Sequence, residues 1–460
     1  MEYVDVAVVG GGPAGSSAAA AAAAAGVETV VLEKGVPRQD RDEIGPDSTD
    51  AAGFLDYWVD VAGIDYQDIP DDIVLQKLRG ATFVGPSEQV SFYGRTGLGN
   101  SYPSFGFTFH RARFDDWLRK RAEDTGAEYR VGTAVGTVET DVGRRHHLTL
   151  TDGQEIDANY LVLADGPGRH VTIPTLNQFM PDTRDIATSL GQQVANHIAY
   201  QEYRRIPPDV FEPSLLTFWW GWIPGHTAYP WLFPNDENIA RIGLTRPLNQ
   251  SIEGINEPEA YRLLREDDDR IPRGKEYIRR LLEESYPEYD LEDFPLVESR
   301  GKSDGTETYP ISSTWPIDSP VDANVAVVGG AMGATSMFHE GGTHVAIRTG
   351  ALAGQLAARD ELVQYNDAWK AAIGDEVLRN AALAATVDGF GPAQWDRTFA
   401  TINRLSNRML GLRPGAGERF EWARAAGRTG ITVGLTYAWF RRRLRAGNYV
   451  QIYESEYDCS

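Results

Sequence analysis

Residues 3–9, YVDVAVV, form a short and almost continuous apolar run, the pattern of a strand buried on both faces of a parallel sheet. A glycine turn follows, and then Ser16 to Ala25, with eight consecutive alanines, predicts a helix. Glu28 to Leu32 reads as a second strand that ends at Glu33. The period changes again at 111–131, RARFDDWLRKRAEDTGAEYRV, which reads as an amphipathic helix and then a strand. Residues 160–169, YLVLADGPGR, read as a strand ending in Ala164-Asp165-Gly166. Residues 325–333, VAVVGGAMG, nearly repeat 6–15, VAVVGGGPAG, and lead into a helix around Thr343 to Ala358. Residues 263–293 read as polar and helical, and 361–460 as helical. Buried strands alternating with helices predict an α/β fold.

Length and charge narrow the function classes. A chain of 460 residues has room for two or three domains. No apolar stretch reaches the ~18 residues that would suggest a membrane span. The start, MEYVDVAVVG, lacks the basic region and cleavage site of a signal peptide, so a cytoplasmic protein is expected. The formal net charge of −22 argues against nucleic acid as a partner. Among 44 basic residues only Lys34, Lys77, Lys120, Lys275, Lys302 and Lys370 are lysine. Acidic excess with scarce lysine suggests a salt-loving source, and arginine-favouring codon usage is the plainer alternative. A single cysteine, Cys459, excludes an internal disulfide, a cysteine zinc site and an iron–sulfur cluster. The eight histidines show no metal-ligand spacing, so no metal is expected.

The first glycine turn carries the clearest chemistry. Gly10-Gly11-Gly12-Pro13-Ala14-Gly15 supplies G-x-G-x-x-G between a strand and a helix. Gly10 permits the turn, Gly12 lets backbone approach a pyrophosphate, and Gly15 lets helix and strand pack closely. The helix N-terminus offers free N–H groups to phosphate. Glu33, followed by Lys34, is placed to accept ribose hydroxyl hydrogen bonds. The pattern predicts a dinucleotide site without separating FAD from NAD.

Taken together, the glycine turn, Arg111/Phe114/Asp115 on the amphipathic helix, the Asp165-Gly166 turn and the late Gly329-Gly330-Ala331 turn resemble the FAD-dependent oxidoreductases of the p-hydroxybenzoate hydroxylase superfamily. Within it the chain looks most like the geranylgeranyl reductases, which carry Y-x-W-x-F-P, about eight residues and then G. Here these are Tyr229, Trp231, Phe233, Pro234 and Gly243. The resemblance implies FAD as cofactor and a discontinuous Rossmann-type FAD-binding domain (1–75, 105–170 and 300–360). It also implies a β-sheet substrate domain (76–104 and 171–299), followed by the helical region 361–460. It places Gly333, Gly341 and Gly342 beside the late turn, as the other wall of one FAD site rather than a second nucleotide site.

Three departures stand out. The late turn normally carries Asp where this chain has Gly330, so a ribityl hydrogen bond is lost or supplied elsewhere, or the backbone comes closer. The Cys-Gly pair of archaeal relatives is replaced within DEIGPDS (42–48), so no thiol can donate a proton. His339 and Glu340 enter the late loop in place of its proline; one of them is an acid or hydrogen-bond donor near the flavin, or both are structural contacts.

Residues 211–233 are the most aromatic stretch. Trp220, Trp222, Tyr229, Trp231 and Phe233 form either an apolar pocket for an isoprenoid chain or plain sheet core. An apolar run before Arg441-Arg442-Arg443-Leu444-Arg445 makes 430–445 either a peripheral membrane contact or a docked helix with a basic end. The favoured function is reduction of isoprenoid double bonds on a lipid or quinone side chain by hydride from reduced FAD, with an external donor, ferredoxin or NAD(P)H, supplying electrons. The alternative is a monooxygenase or halogenase on the same fold. Trp220-Gly221-Trp222-Ile223-Pro224 is one residue short of the halogenase W-x-W-x-I-P pattern.

Overall fold

The computed structural model describes residues 2–36, 53–141, 145–181, 183–190, 196–301, 303–409, 418–446 and 449–459. The DEIGPDS stretch (42–48) lies outside them. Among the described residues, seven strands build the sheet that carries the glycine turns. Glu128–Val131, Thr29–Glu33, Glu2–Val9 and Glu155–Leu163 run parallel, side by side in that order. The far edge of Glu155–Leu163 is shared. Arg145–Leu150 pairs antiparallel with its first half, and Val325–Val327 pairs parallel with its last residues. Val135–Asp141 completes the sheet. The first strand is buried almost throughout, as a continuous apolar run requires.

Both glycine turns therefore rise from one sheet, on either side of one strand. Their helices, Pro13–Ala24 and Thr343–Ala357, pack on each other. The alanine run explains how closely. A Cβ on Gly350 or Gly354 would collide with the carbonyl oxygens of Ala14 and Ala18. Alanine on one helix and glycine on the other let the two backbones nearly touch.

A second set of seven strands forms a mostly antiparallel sheet, in the order Thr306–Ile311, His197–Arg205, Ile239–Pro247, Tyr229–Pro234, Leu215–Trp219, Gly80–Val84 and Gln89–Tyr93. Thr306–Ile311 comes from the 300–360 segment, yet it pairs here, opposite His197–Glu202. A small sheet of Gly53–Leu55, Gly106–Phe109 and Val74–Leu78 lies in its own apolar cluster with Phe54, Phe107, Phe109 and Phe114. Of the polar stretch 263–293, only Gly274–Ser285 is α-helical. It buries Tyr277, Ile278, Leu281 and Leu282 with Leu263 and Leu264, so this segment covers an apolar core.

The last hundred residues begin as expected, with helices Tyr365–Val387, Pro392–Met409 and Glu418–Ala446. Residues 449–459 are not α-helical. They return to the first sheet's core, where Val450, Ile452 and Tyr457 are buried. The backbone is tied there by bonds from Gln451 to Pro316 and from Asp318 to Ile452.

Candidate functional site

One cavity of about 590 Å³ runs from the glycine turns to the aromatic sheet. Gly12, Pro13, Ala14, Arg111, Ala164, Gly166, Gly330, Gly341 and Gly342 line its first end. Phe83, Phe218, Trp220, Tyr229, Trp231 and Phe233 line the other. His339 and Glu340 sit on its wall with Phe338, Thr343 and His344. The sequence-expected residues are thus largely brought together, although they lie far apart along the chain.

The glycines do distinct jobs. Gly10 has φ +100°, and a Cβ there would lie 2.5 Å from the Ala164 oxygen. At Gly15 a Cβ would strike the Gly10 carbonyl. At Gly12, the N-cap of the first helix, a Cβ would meet nothing within 4 Å, because the backbone faces the cavity. Gly166, with φ +72°, is open in the same way. The second helix also begins at the cavity, at Thr343 after its N-cap Gly342. Open backbone at two helix N-termini and the Arg111 guanidinium fit a pyrophosphate, and the residues present fit FAD.

Several expected cofactor residues are not among those lining this cavity. Glu33 accepts from the backbone N–H of Gly11 at 2.6 Å and of Gly35 at 2.5 Å, so its carboxylate shapes the turn itself. Asp165 accepts from the N–H groups of Val171 (2.7 Å) and Thr172 (3.1 Å) and from the Thr172 hydroxyl, fixing the chain after the Asp165-Gly166 turn. Lys34, Gly10, Gly15, Gly329, Ala331 and Gly333 do not line the cavity. The Gly329 N–H donates to Thr349 at 3.0 Å and holds the late turn to its helix. Gly330 faces Pro167, whose Cδ would be 3.1 Å from an added Cβ.

Arg169 was not singled out by sequence reading. Its guanidinium is buried and donates to the Ala331 and Gly330 carbonyls (2.9 and 3.3 Å) and to the hydroxyls of Ser312 and Thr314 (3.3 and 3.0 Å). It ties the Asp165-Gly166 turn to the late turn. Its place at the end of YLVLADGPGR was the available signal, but the partners lie more than 140 residues away.

At the aromatic end the Y-x-W-x-F-P…G spacing has a direct cause. Tyr229–Pro234 and Ile239–Pro247 form a hairpin in which Trp231 lies opposite Gly243. A Cβ on Gly243 would come within 2.5 Å of the Trp231 indole, so the glycine makes room for that ring. Alternation then points Tyr229, Trp231 and Phe233 at the same face, the cavity. Trp220 stacks on Tyr229 (centroids 4.5 Å apart) and lies tilted against Trp395 from the 392–409 helix. Trp222 is elsewhere: its N–H donates to the Gly85 carbonyl, and its ring packs with Trp219 in the core beneath the 274–285 helix.

The late loop is held from the aromatic side. The Tyr229 hydroxyl donates to the His339 carbonyl at 3.0 Å, and burial pushes that phenol's pKa well up. His339 Nδ1 accepts from the Gly341 N–H at 3.2 Å. Burial and neighbouring His344 lower its pKa to about 4, so the ring is neutral. His344 lies flat on Trp58, at 4.5 Å, and reaches Glu376 at 2.8 Å. Glu340 is as buried as His339, and burial raises its pKa to about 8, with only the Thr245 hydroxyl pulling the other way.

Comparison with known proteins agrees with this geometry. Residues 3–41 match the FAD binding domain family, and residues 48–209 match the tryptophan halogenase family. Digeranylgeranylglycerophospholipid reductase 2 of Methanothermobacter thermautotrophicus is 24% identical over 87% of this chain and 92% of its own. A menaquinone reductase of Mycobacterium tuberculosis is 45% identical over a short stretch, 15% of this chain and 17% of that protein. The crystal structure of a geranylgeranyl bacteriochlorophyll reductase-like protein from Thermoplasma acidophilum shares the fold, with a TM-score of 0.65 and 21% identity over 97% of this chain and 99% of that one. Two glycine turns closing on one cofactor cradle, in a chain with these relatives, make this protein an FAD-dependent oxidoreductase related to the geranylgeranyl reductases.

Proposed function

We propose that the protein reduces carbon–carbon double bonds in an isoprenoid chain borne by a lipid or a quinone. The observation that carries this reading is the single cavity, whose glycine end fits a nucleotide and whose other end is walled by aromatic rings. When bound, FAD in its reduced form supplies the hydride. The chain's own residues bind and orient. Trp231, Phe233 and Phe218 offer apolar surface on which each buried methylene of a substrate is worth about 0.8 kcal/mol. Tyr229 holds the late loop against that surface. An external donor, ferredoxin or NAD(P)H, replenishes the electrons.

The lipid is met at a membrane surface. Among the described residues no helix is long and apolar enough to cross a bilayer. Ile431, Leu435 and Trp439, spaced by four on one helix, are instead 44%, 66% and 54% exposed. Arg442 and Arg443 follow them on exposed positions, suited to anionic head groups. This helix packs on the 392–409 helix, whose Trp395 backs the aromatic wall.

Anaerobic incubation of the dithionite-reduced protein with a geranylgeranyl lipid tests the reading. The expected product has gained two hydrogens per double bond. A product formed only with oxygen, and no alkene reduction without it, would favour the second reading, a halogenase or monooxygenase, for which the match over residues 48–209 is the specific support. The local geometry weighs against it, because Trp220 and Trp222 of the shortened motif face different cores.

A further inference from the structure

Alkene reduction needs a proton as well as a hydride, and the cavity wall offers few groups to give one. His339 is neutral, and its Nδ1 accepts from Gly341. Glu340 differs. Its side chain is 4% exposed and belongs to the cavity wall, and its carboxyl sits beside the Thr245 hydroxyl and the His197 ring. Its backbone is left-handed, φ +58°, a conformation that costs a non-glycine residue about 1 kcal/mol. The loop thus holds a carboxyl within the cavity wall, its oxygens buried beside Thr245 and His197, on a left-handed backbone.

The group facing it settles which form is held. His197 begins the strand His197–Arg205, and its Nε2 is 2.9 Å from the His226 carbonyl, so Nε2 carries the ring proton. Nδ1 is then a lone pair, 3.6 Å from Glu340 Oε1. Burial lowers the His197 pKa and keeps the ring neutral. An acceptor beside a carboxyl favours the form that carries O–H. The other titratable groups on this part of the wall are Tyr229 and Tyr309 on two further strands, and His339 on the loop itself.

We infer that Glu340 is the catalytic acid, giving its proton to one alkene carbon as hydride reaches the other, and that His197 is the positioning residue that keeps it protonated. The assignment rests on the reductase reading. In the step the O–H bond of Glu340 and the alkene π bond break, and two C–H bonds form. The hydride and its two electrons come from reduced flavin, which is left oxidised; the carboxyl becomes a carboxylate and regains its proton from water.

Two measurements test this. Infrared difference spectra of the protein, with and without FAD, should show a protonated-carboxyl band at pH 7 that is absent in Glu340→Gln and titrates away near pH 8. No such band overturns the assignment whatever the substrate. In anaerobic assays with dithionite and a geranylgeranyl lipid, Glu340→Gln should bind FAD and be reduced like the parent protein, yet convert the lipid at least ~100-fold more slowly. Conversion within about threefold of the parent overturns the assignment. His197→Gln, which offers an N–H to the carboxylate, should move the alkaline limit of the rate to lower pH; an unmoved limit overturns the positioning role. If the parent protein itself reduces no alkene, the reductase reading falls, and the band separately reports whether Glu340 is held as an acid.

Discussion

The two ends of the cavity are built from opposite materials. At the nucleotide end, Gly10, Gly15, Gly350 and Gly354 leave out side chains so that backbones touch. At the aromatic end, Trp220, Tyr229, Trp231 and Phe233 fill the space with rings, and one glycine, Gly243, leaves room for one of them. The first end has almost no tolerance, because backbone cannot move aside. The second has some, because rings can tilt. Specificity for the cofactor therefore rests on absent atoms, and specificity for the substrate on present ones.

That contrast can be broken in order of severity. Gly15→Ala puts a Cβ onto the Gly10 carbonyl, and strain of this kind costs about 1–3 kcal/mol, with backbone contact at the upper end. Thermal unfolding should show a clear loss of stability, and the purified protein should be nearly colourless. Gly243→Val instead displaces the Trp231 ring. Flavin absorbance should be kept, while KM for an isoprenoid lipid should rise about tenfold, for a loss of roughly 1–3 kcal/mol. Equal loss of flavin in both variants would erase the distinction between the two ends.

Gly330→Asp probes the nucleotide end more gently. Its Cβ would press on Pro167 at 3.1 Å, so FAD affinity should fall several-fold in a fluorescence titration, and Pro167→Ala should recover part of it. Between the two ends, Glu340 makes the contrast depend on pH. Its folded pKa, about 8, lies above the ordinary value of 4.5, so the unfolded chain releases that proton first. Its contribution to stability is lost as pH rises from about 4.5 to about 8, and Glu340→Gln should flatten that slope in denaturant titrations. The smallest effect belongs to the outer surface: Leu435→Asp should reduce co-sedimentation with anionic vesicles without changing reduction of a detergent-solubilised substrate.

Much of the nucleotide end was legible in the sequence because its contacts are local. The strand, the turn and the helix of residues 2–24 follow one another, and each glycine's task can be read from its neighbours. The aromatic motif was legible for the same reason, since Trp231 and Gly243 face each other across one hairpin. What stayed hidden depends on distant partners. Glu33 reads as a ribose ligand, and the sequence did not show that its carboxylate also accepts from the backbone N–H groups of Gly11 and Gly35. Trp222 could not be told from Trp220 until the strand's end showed which ring faced which core. His197 and Glu340 lie 143 positions apart (340 − 197), and only the sheet brings them together.

The segment 449–459 gives the fold an order in time. The sheet around the glycine turns starts with the strand Glu2–Val9, yet its core also takes in Val450 and Ile452. The aromatic sheet, drawn from residues 80–311, can assemble in between. Synthesis thus makes the first glycine turn early, adds the second only after the strands of the aromatic sheet, and seals the far side last. A flavin arriving before that point would meet a partly built site, and a chain stalled near residue 440 would hold both glycine turns over an unfinished core.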